Sequence, residues 1–279
     1  MRSVRSALVF FAAFAVCAAS APAQESLADA ARRKTLDQLL DLYVRNGDVY
    51  YRALKAERAK LDGYLNQVAS ASVGKMSREE QIAFWLNAYN AIVLRTVVDH
   101  YPIQGHSPDY PSKSIRQIPG AFERLQHRVG GRMVTLDQIE KEVLPTFNDP
   151  RVYFALGRGA IGSGRLRSEA FAPTRIEDQL TEVAAECVQR GQCVQIDPES
   201  GKVGASAIFS WREKEFSAVY ADKAPQMLAD RSPIERAVIG FVYPKLLNAE
   251  KDLVAKNAFQ LVYKPFDWSL NDLTGRGGR

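Results

Sequence analysis

Cysteine and histidine are scarce in this chain, and their scarcity removes several kinds of chemistry. The 279 residues hold three of each. The histidines, His100, His106 and His127, stand far from the cysteines, so no Cys/His cluster with zinc spacing can be read and no metal is expected. Cys187 and Cys193 are too far apart for the C-x-x-C arrangement of a dithiol redox centre. Charge of one sign is also lacking. The formal charge of +5 is spread along the sequence, without the concentrated basic face that nucleic acid requires. Beyond the first two dozen residues no apolar run is long enough to cross a bilayer, so an integral membrane protein is not expected. Nor is there a Ser/Gly/Pro linker, an internal repeat or a low-complexity tract, which favours one domain over two.

The first residues form a leader. Arg2 and Arg5 precede an apolar core, Ala7 to Ala19, and Ala21-x-Ala23 fits the small-residue rule for cleavage. Cleavage after Ala23 is predicted, with a periplasmic or secreted product of 24–274 as a single domain and a frayed tail at 275–279. Phe14-Ala15-Val16 before Cys17 is a poor lipobox. Two cysteines then remain, and in an exported chain an even pair reads as a disulfide, Cys187 to Cys193.

Helix signals are clear at several points. Leu36, Leu39, Leu40 and Tyr43 recur at helical spacing, and Gly47 follows as a stop. Ser77 and Glu80 form a capping box before a helix that is apolar on almost every side, hence central and buried. Asn87 and Asn90 interrupt that surface. Buried amides need partners, so they either brace neighbouring backbone or line a pocket. A hairpin is predicted through Gly130-Gly131, then a helix capped by Thr135 (LDQIEKEVL) that carries Asp137 and Glu140 on nearby positions. Thr174 with Glu177, and Ser232 with Glu235 and Pro233 at the first helical position, read as further helix starts. RVYFAL (151–156) reads as a strand, as do 193–196 and 259–263, and the aromatic residues Trp211, Phe216 and Tyr220 read as core. Helices and strands mix without βαβ alternation. The pattern is α+β: a mainly helical domain around a small, largely antiparallel sheet.

The segments 39–65, 81–102 (QIAFWLNAYNAIVLRTVVDHYP), 134–156 (VTLDQIEKEVLPTFNDPRVYFAL), 207–216 (AIFSWREKEF) and 266–272 (FDWSLND) together resemble the domain of unknown function 547 family. The resemblance implies an exported α+β domain and no defined reaction. Family members usually carry a histidine where this chain has Tyr153. After FAL they carry an asparagine and a cysteine, then a second cysteine and prolines. Here those places hold Gly157 and Arg158, then Ser163, Gly164 and Arg165. The thiol and imidazole that would make an activated nucleophile are absent from them.

The loop 157–164, GRGAIGSG, is the candidate site. Its G-x-G-x-x-G spacing (Gly157, Gly159, Gly162) suggests a dinucleotide cradle, but no helix is evident after it, so no nucleotide or other cofactor is expected. Ser163, exposed between glycines, is a candidate nucleophile for a hydrolase or transferase if the fold supplies a base. The favoured reading is a non-catalytic domain that binds a peptide, an envelope component or a small anionic ligand. Its site would be built from Asn87, Asn90, Glu140, Arg158 and Ser163. Arg158, Arg165 and Arg167 are candidates to hold a carboxylate or phosphate.

Overall fold

The computed structural model describes residues 25–273 except Gln192. The predicted leader, its predicted cleavage site and the predicted frayed tail at 275–279 lie outside the described residues. Helix α1 (Leu27–Tyr43) starts at Ser26, whose hydroxyl accepts the amide of Asp29, and buries the Leu36, Leu39, Leu40 and Tyr43 stripe. Strands β1 (Val44–Arg45) and β2 (Asp48–Val49) form a hairpin. Asn46 and Gly47 at its turn both have positive φ, 52° and 91°, the combination that a two-residue hairpin of matching twist demands. Helices α2 (Tyr51–Ala56) and α3 (Ala59–Ala69) lead to α4 (Arg78–His100), the axis of the fold.

The capping box Ser77/Glu80 opens α4, and Tyr101-Pro102 closes it. Seventeen of its side chains are buried, so every face of α4 is covered. Helices α1, α2 and α3 cover one part of it, and the elements that follow cover the rest. Strands β3 (His127–Val129) and β4 (Arg132–Val134) pair through the Gly130-Gly131 turn. Thr135 and Gln138 then form the capping box of α5 (Leu136–Gln138). The predicted LDQIEKEVL helix is α-helical only for this first turn. It widens into a π turn, Ile139–Val143, and tightens to 3-10 geometry over Leu144–Phe147, where Pro145 cannot donate.

The predicted strand 151–156 is not a strand. Pro150–Phe154 is a 3-10 helix, because the Asp149 carboxylate caps the Arg151 amide and Pro150 presets the first helical φ. Val152, Tyr153, Phe154 and Leu156 are all buried, and an unbroken apolar run does not distinguish strand from buried helix. Helix α6 (Ile176–Gln189) follows. Its expected Thr174/Glu177 box does not form: Thr174 lies inside the 3-10 turn Pro173–Arg175, Arg175 takes the N-cap position, and the Glu177 carboxylate pairs with Arg151 at 2.8 Å.

Strands β5 (Val194–Asp197) and β6 (Lys202–Ser206) are antiparallel, and β7 (Gln260–Lys264) joins β6 in parallel. Between β6 and β7 lie α7 (Ala207–Trp211), α8 (Glu213–Tyr220), α9 (Pro233–Val242), opened by the Ser232/Glu235 box, and α10 (Asn248–Ala255). The architecture is α+β and mainly helical. Its strands form three small sheets, antiparallel apart from β6–β7. Phe154, Phe209, Phe216 and Phe241 interlock with ring centroids 4.6 to 5.7 Å apart, and one cluster of buried apolar side chains runs from Leu36 to Leu270.

A last extended stretch, 266–272, ties distant parts together. Asp267 and Ser269 carbonyls accept the amides of Gly162 and Ile161. Asn271 accepts from the Val49 amide through its carbonyl and from the Tyr51 hydroxyl through its side chain, and donates to the Gly47 carbonyl.

Candidate functional site

The glycine loop is packed, not open. Gly159 adopts φ 65°, and a Cβ at Gly164 would overlap the Phe154 carbonyl, so both positions demand glycine. Four of the loop amides that could cradle a phosphate are already taken. Gly157 N–H donates to Asn90 Oδ1 (2.8 Å), Arg158 N–H to Ser163 Oγ (3.0 Å), and those of Ile161 and Gly162 to the 266–272 stretch. No helix follows the loop until 173. The G-x-G-x-x-G spacing therefore serves a buried turn.

The five predicted site residues do not converge on one cavity. Asn87 clamps Phe171, donating to its carbonyl (2.8 Å) and accepting its amide (2.9 Å). Asn90 likewise donates to the Ala155 carbonyl (3.1 Å) and accepts from Gly157. Of the two readings, both amides follow the bracing one, since a buried carboxamide satisfies four valences best against extended backbone. Ser163 is 9 % exposed, against the exposure expected from its glycine neighbours. The stretch 266–272 lies across the loop and covers it. The Ser163 hydroxyl accepts the Arg158 amide, and among the described residues no carboxylate or imidazole is recorded as its hydrogen-bond partner. Ser163 lines a hollow of about 20 Å³, room for about one water, alongside Arg165, Arg190 and both members of the disulfide Cys187–Cys193, whose Cα atoms are 5.0 Å apart. Residues 158 and 163 are thus in contact, as an arginine amide and a serine hydroxyl.

Glu140 and Arg158 do meet. Glu140 projects from the π turn, a distortion that often marks functional positions. It is 5 % exposed, and Arg158 is 2 % exposed. The guanidinium grips the carboxylate with both edges, Nε to Oε1 at 3.1 Å and Nη2 to Oε2 at 2.7 Å, and donates its third nitrogen to the Tyr153 carbonyl at 3.1 Å. Arg158 was expected to hold an external anion; it holds an internal one, because the loop turns its side chain under α4. Glu140 also accepts from the Tyr89 hydroxyl and, at 3.2 Å, from Arg212 Nη2. Burial alone would raise the Glu140 pKa, but the charge and hydrogen bonds of Arg158, with Tyr89 and Arg212, hold it below the usual carboxylate range. Burial and the adjacent Glu140 charge push the Tyr89 phenol well up, so it remains a donor. Arg165 and Arg167 lie elsewhere, paired with Glu186, Glu169 and Glu182.

Above this ion pair opens a cleft of about 310 Å³. Its floor is Glu140, Arg158 and Arg212, and its walls are Phe122, Trp211 and Trp268, with Arg116, Glu123, Asp137 and Lys141 along the side. Two arginines share one glutamate in the floor, and the lining as a whole carries four cations against three carboxylates. Arg212 Nη1 approaches Glu215 only to 4.0 Å, and its buried Nε has no hydrogen-bond partner. Its guanidinium lies 4.7 Å from the Tyr153 ring centroid. Arg116 is held between Phe122 (4.4 Å) and Trp268 (4.5 Å), and its buried Nε is also unpaired. Trp211, expected in the core, is 44 % exposed. Its ring stacks on Trp268 with centroids 6.1 Å apart and planes 22° apart, while Phe266 supports both at 4.9 and 4.4 Å.

Sequence reasoning missed Arg116, Trp211, Arg212 and Trp268. The adjacent Trp211-Arg212 in AIFSWREKEF and the tryptophan of FDWSLND were the available signals.

Residues 73–188 match the family described as "Protein of unknown function, DUF547", and over that range the chain is a member of this family. No curated protein and no solved structure matches it. The matched range supplies Arg116 to Arg158 of the cleft; Trp211, Arg212 and Trp268 come from beyond it. Among the described residues no helix is long and apolar enough to cross a membrane.

Proposed function

We propose that this protein is an exported, non-catalytic binding domain of the cell envelope that takes a small anionic ligand in the cleft above Glu140, Arg158 and Arg212. The observation that carries this reading is the net positive lining of the cleft, four cationic side chains against three carboxylates, with Arg212 sharing Glu140 with Arg158 and meeting Glu215 only at 4.0 Å. A buried unpaired N–H and an unmatched charge both cost stability, and an incoming carboxylate relieves the charge imbalance. Binding replaces the catalysis-centred alternative, a hydrolase or transferase using Ser163, because the Ser163 hydroxyl is buried and committed to the Arg158 amide. Export rests on the leader at residues 1–23, with 24–274 as one domain and a periplasmic or secreted location.

Two of the three tryptophans line the cleft, so intrinsic fluorescence reports occupancy. Titration with small monocarboxylates should shift the emission with dissociation constants in the micromolar to low millimolar range, about 4 to 8 kcal/mol of binding. Arg212→Met should abolish the response. A panel of carboxylates that leaves the emission unmoved at tens of millimolar, or binding that survives Arg212→Met, refutes the proposal.

A further inference from the structure

The cleft constrains the body of its ligand as well as its charge. Resting on the anion-binding reading above, we infer that the ligand is an acidic sugar, a pyranose ring carrying one carboxylate of the hexuronate type. The residues that line the cleft carry four positive and three negative charges, an excess of one. Glu123 and Asp137 stand at the side of the same cleft, each ion-paired with its own cation, Arg116 and Lys141, so the lining leaves one net positive charge for a ligand to meet. That favours a monoanion over a phosphate dianion, and a planar carboxylate suits the guanidinium fork of Arg212.

Trp211 offers its indole for stacking. It is about half exposed, and Trp268 and Phe266 fix its plane from behind, so a flat apolar face is presented to the cleft at little entropic cost. Two kinds of flat body fit such a face: an arene, or a pyranose ring presenting its C–H bonds. The opposite side decides between them. Glu123, Asp137 and Lys141 are hydrogen-bonding groups, and each carboxylate has acceptor sites left after its ion pair. An arene edge would desolvate them without replacement, whereas ring hydroxyls donate to them. The cleft of about 310 Å³ lies at the small end of ligand sites, enough for one or two sugar rings.

The test compares three probes on the purified protein by calorimetry and tryptophan fluorescence: D-glucuronate, D-glucose and benzoate. Glucuronate should bind, glucose at least about tenfold more weakly for want of the charge-assisted contact, and benzoate more weakly than glucuronate. Trp211→Ala should weaken glucuronate about tenfold, and Trp211→Leu, which keeps apolar packing against Phe266 and Trp268 but lacks a flat ring, should weaken it as well, with each variant's fold checked by its melting curve. Asp137→Asn should weaken glucuronate and leave benzoate as it was. Benzoate binding without glucuronate would overturn the sugar assignment and leave the anion site standing. Glucose binding as tightly as glucuronate would overturn the anion site. No binding of any probe would overturn both.

Discussion

Replacing Arg158 with methionine removes three hydrogen bonds, two of them to a carboxylate that is almost wholly buried. Deleting one partner of a buried ion pair costs about 3–5 kcal/mol, mostly because the other charge is stranded. Glu140 would keep the Tyr89 hydroxyl and Arg212, so the lower end of that range, about 3 kcal/mol, is expected for Arg158→Met. Replacing both partners, Arg158→Met with Glu140→Leu, leaves no stranded carboxylate. The double variant should therefore lose less than the sum of the singles, with a coupling of at least about 1.5 kcal/mol. Urea unfolding of the four proteins at neutral pH measures each quantity. The pH dependence supplies a second reading. Glu140 titrates below its unfolded value in the native chain, so its contribution is present above about pH 4.5 and is lost as pH falls through the folded value. In Arg158→Met the main influence holding it down is gone and burial dominates, so that acid-side loss should shrink. A cost under about 1 kcal/mol for Arg158→Met, or additive singles, would refute the account of the cleft floor.

His127 should make folding sensitive to mild acid. Burial, then the charge of Arg95, lower its pKa to about 4, so between 6.5 and 4 the unfolded chain binds a proton that the folded chain refuses. Stability should fall as pH drops through 6.5 and level off near 4, by up to about 3 kcal/mol, and His127→Gln should flatten that slope in urea titrations. Reducing Cys187–Cys193, which closes a short loop, should cost about 2 kcal/mol, seen as a lower melting temperature with two thiols newly available to a labelling reagent. Two reactive thiols in the untreated protein would refute the bond. Ser163→Ala strands the Arg158 amide and should destabilise by about 1–3 kcal/mol, and a fluorophosphonate should label neither form; labelling that disappears in Ser163→Ala would restore the serine as a nucleophile.

Sequence reading reached the parts of this molecule governed by local rules. The boxes at Ser77 and Ser232, the Thr135 cap and the Gly130-Gly131 turn each depend on residues within a few positions, and the structure contains all four. It failed where tertiary partners decide. Glu177 looked like a cap because its pairing with Arg151, distant in sequence, could not be seen. RVYFAL looked like a strand because burial on every side erases periodicity. The glycine loop looked open because nothing local announces that 266–272 will cover it. Glu140 and Arg158 were chosen correctly as neighbours, yet as binders of an outside ligand rather than of each other. The cleft joins Trp211, Arg212 and Trp268 to Phe122, Glu140 and Arg158, a juxtaposition that spacing cannot encode.

The stretch 266–272 couples the cleft to the first hairpin. It donates no long element, but it covers the glycine loop, closes the first hairpin and brings Trp268 to Arg116. Helix α4 and the Glu140–Arg158 pair lie before residue 160, whereas one wall of the cleft comes from residue 268. The wall that Trp268 supplies is therefore tied to the same hydrogen bonds that fasten the first hairpin, so loosening that hairpin would also open the cleft.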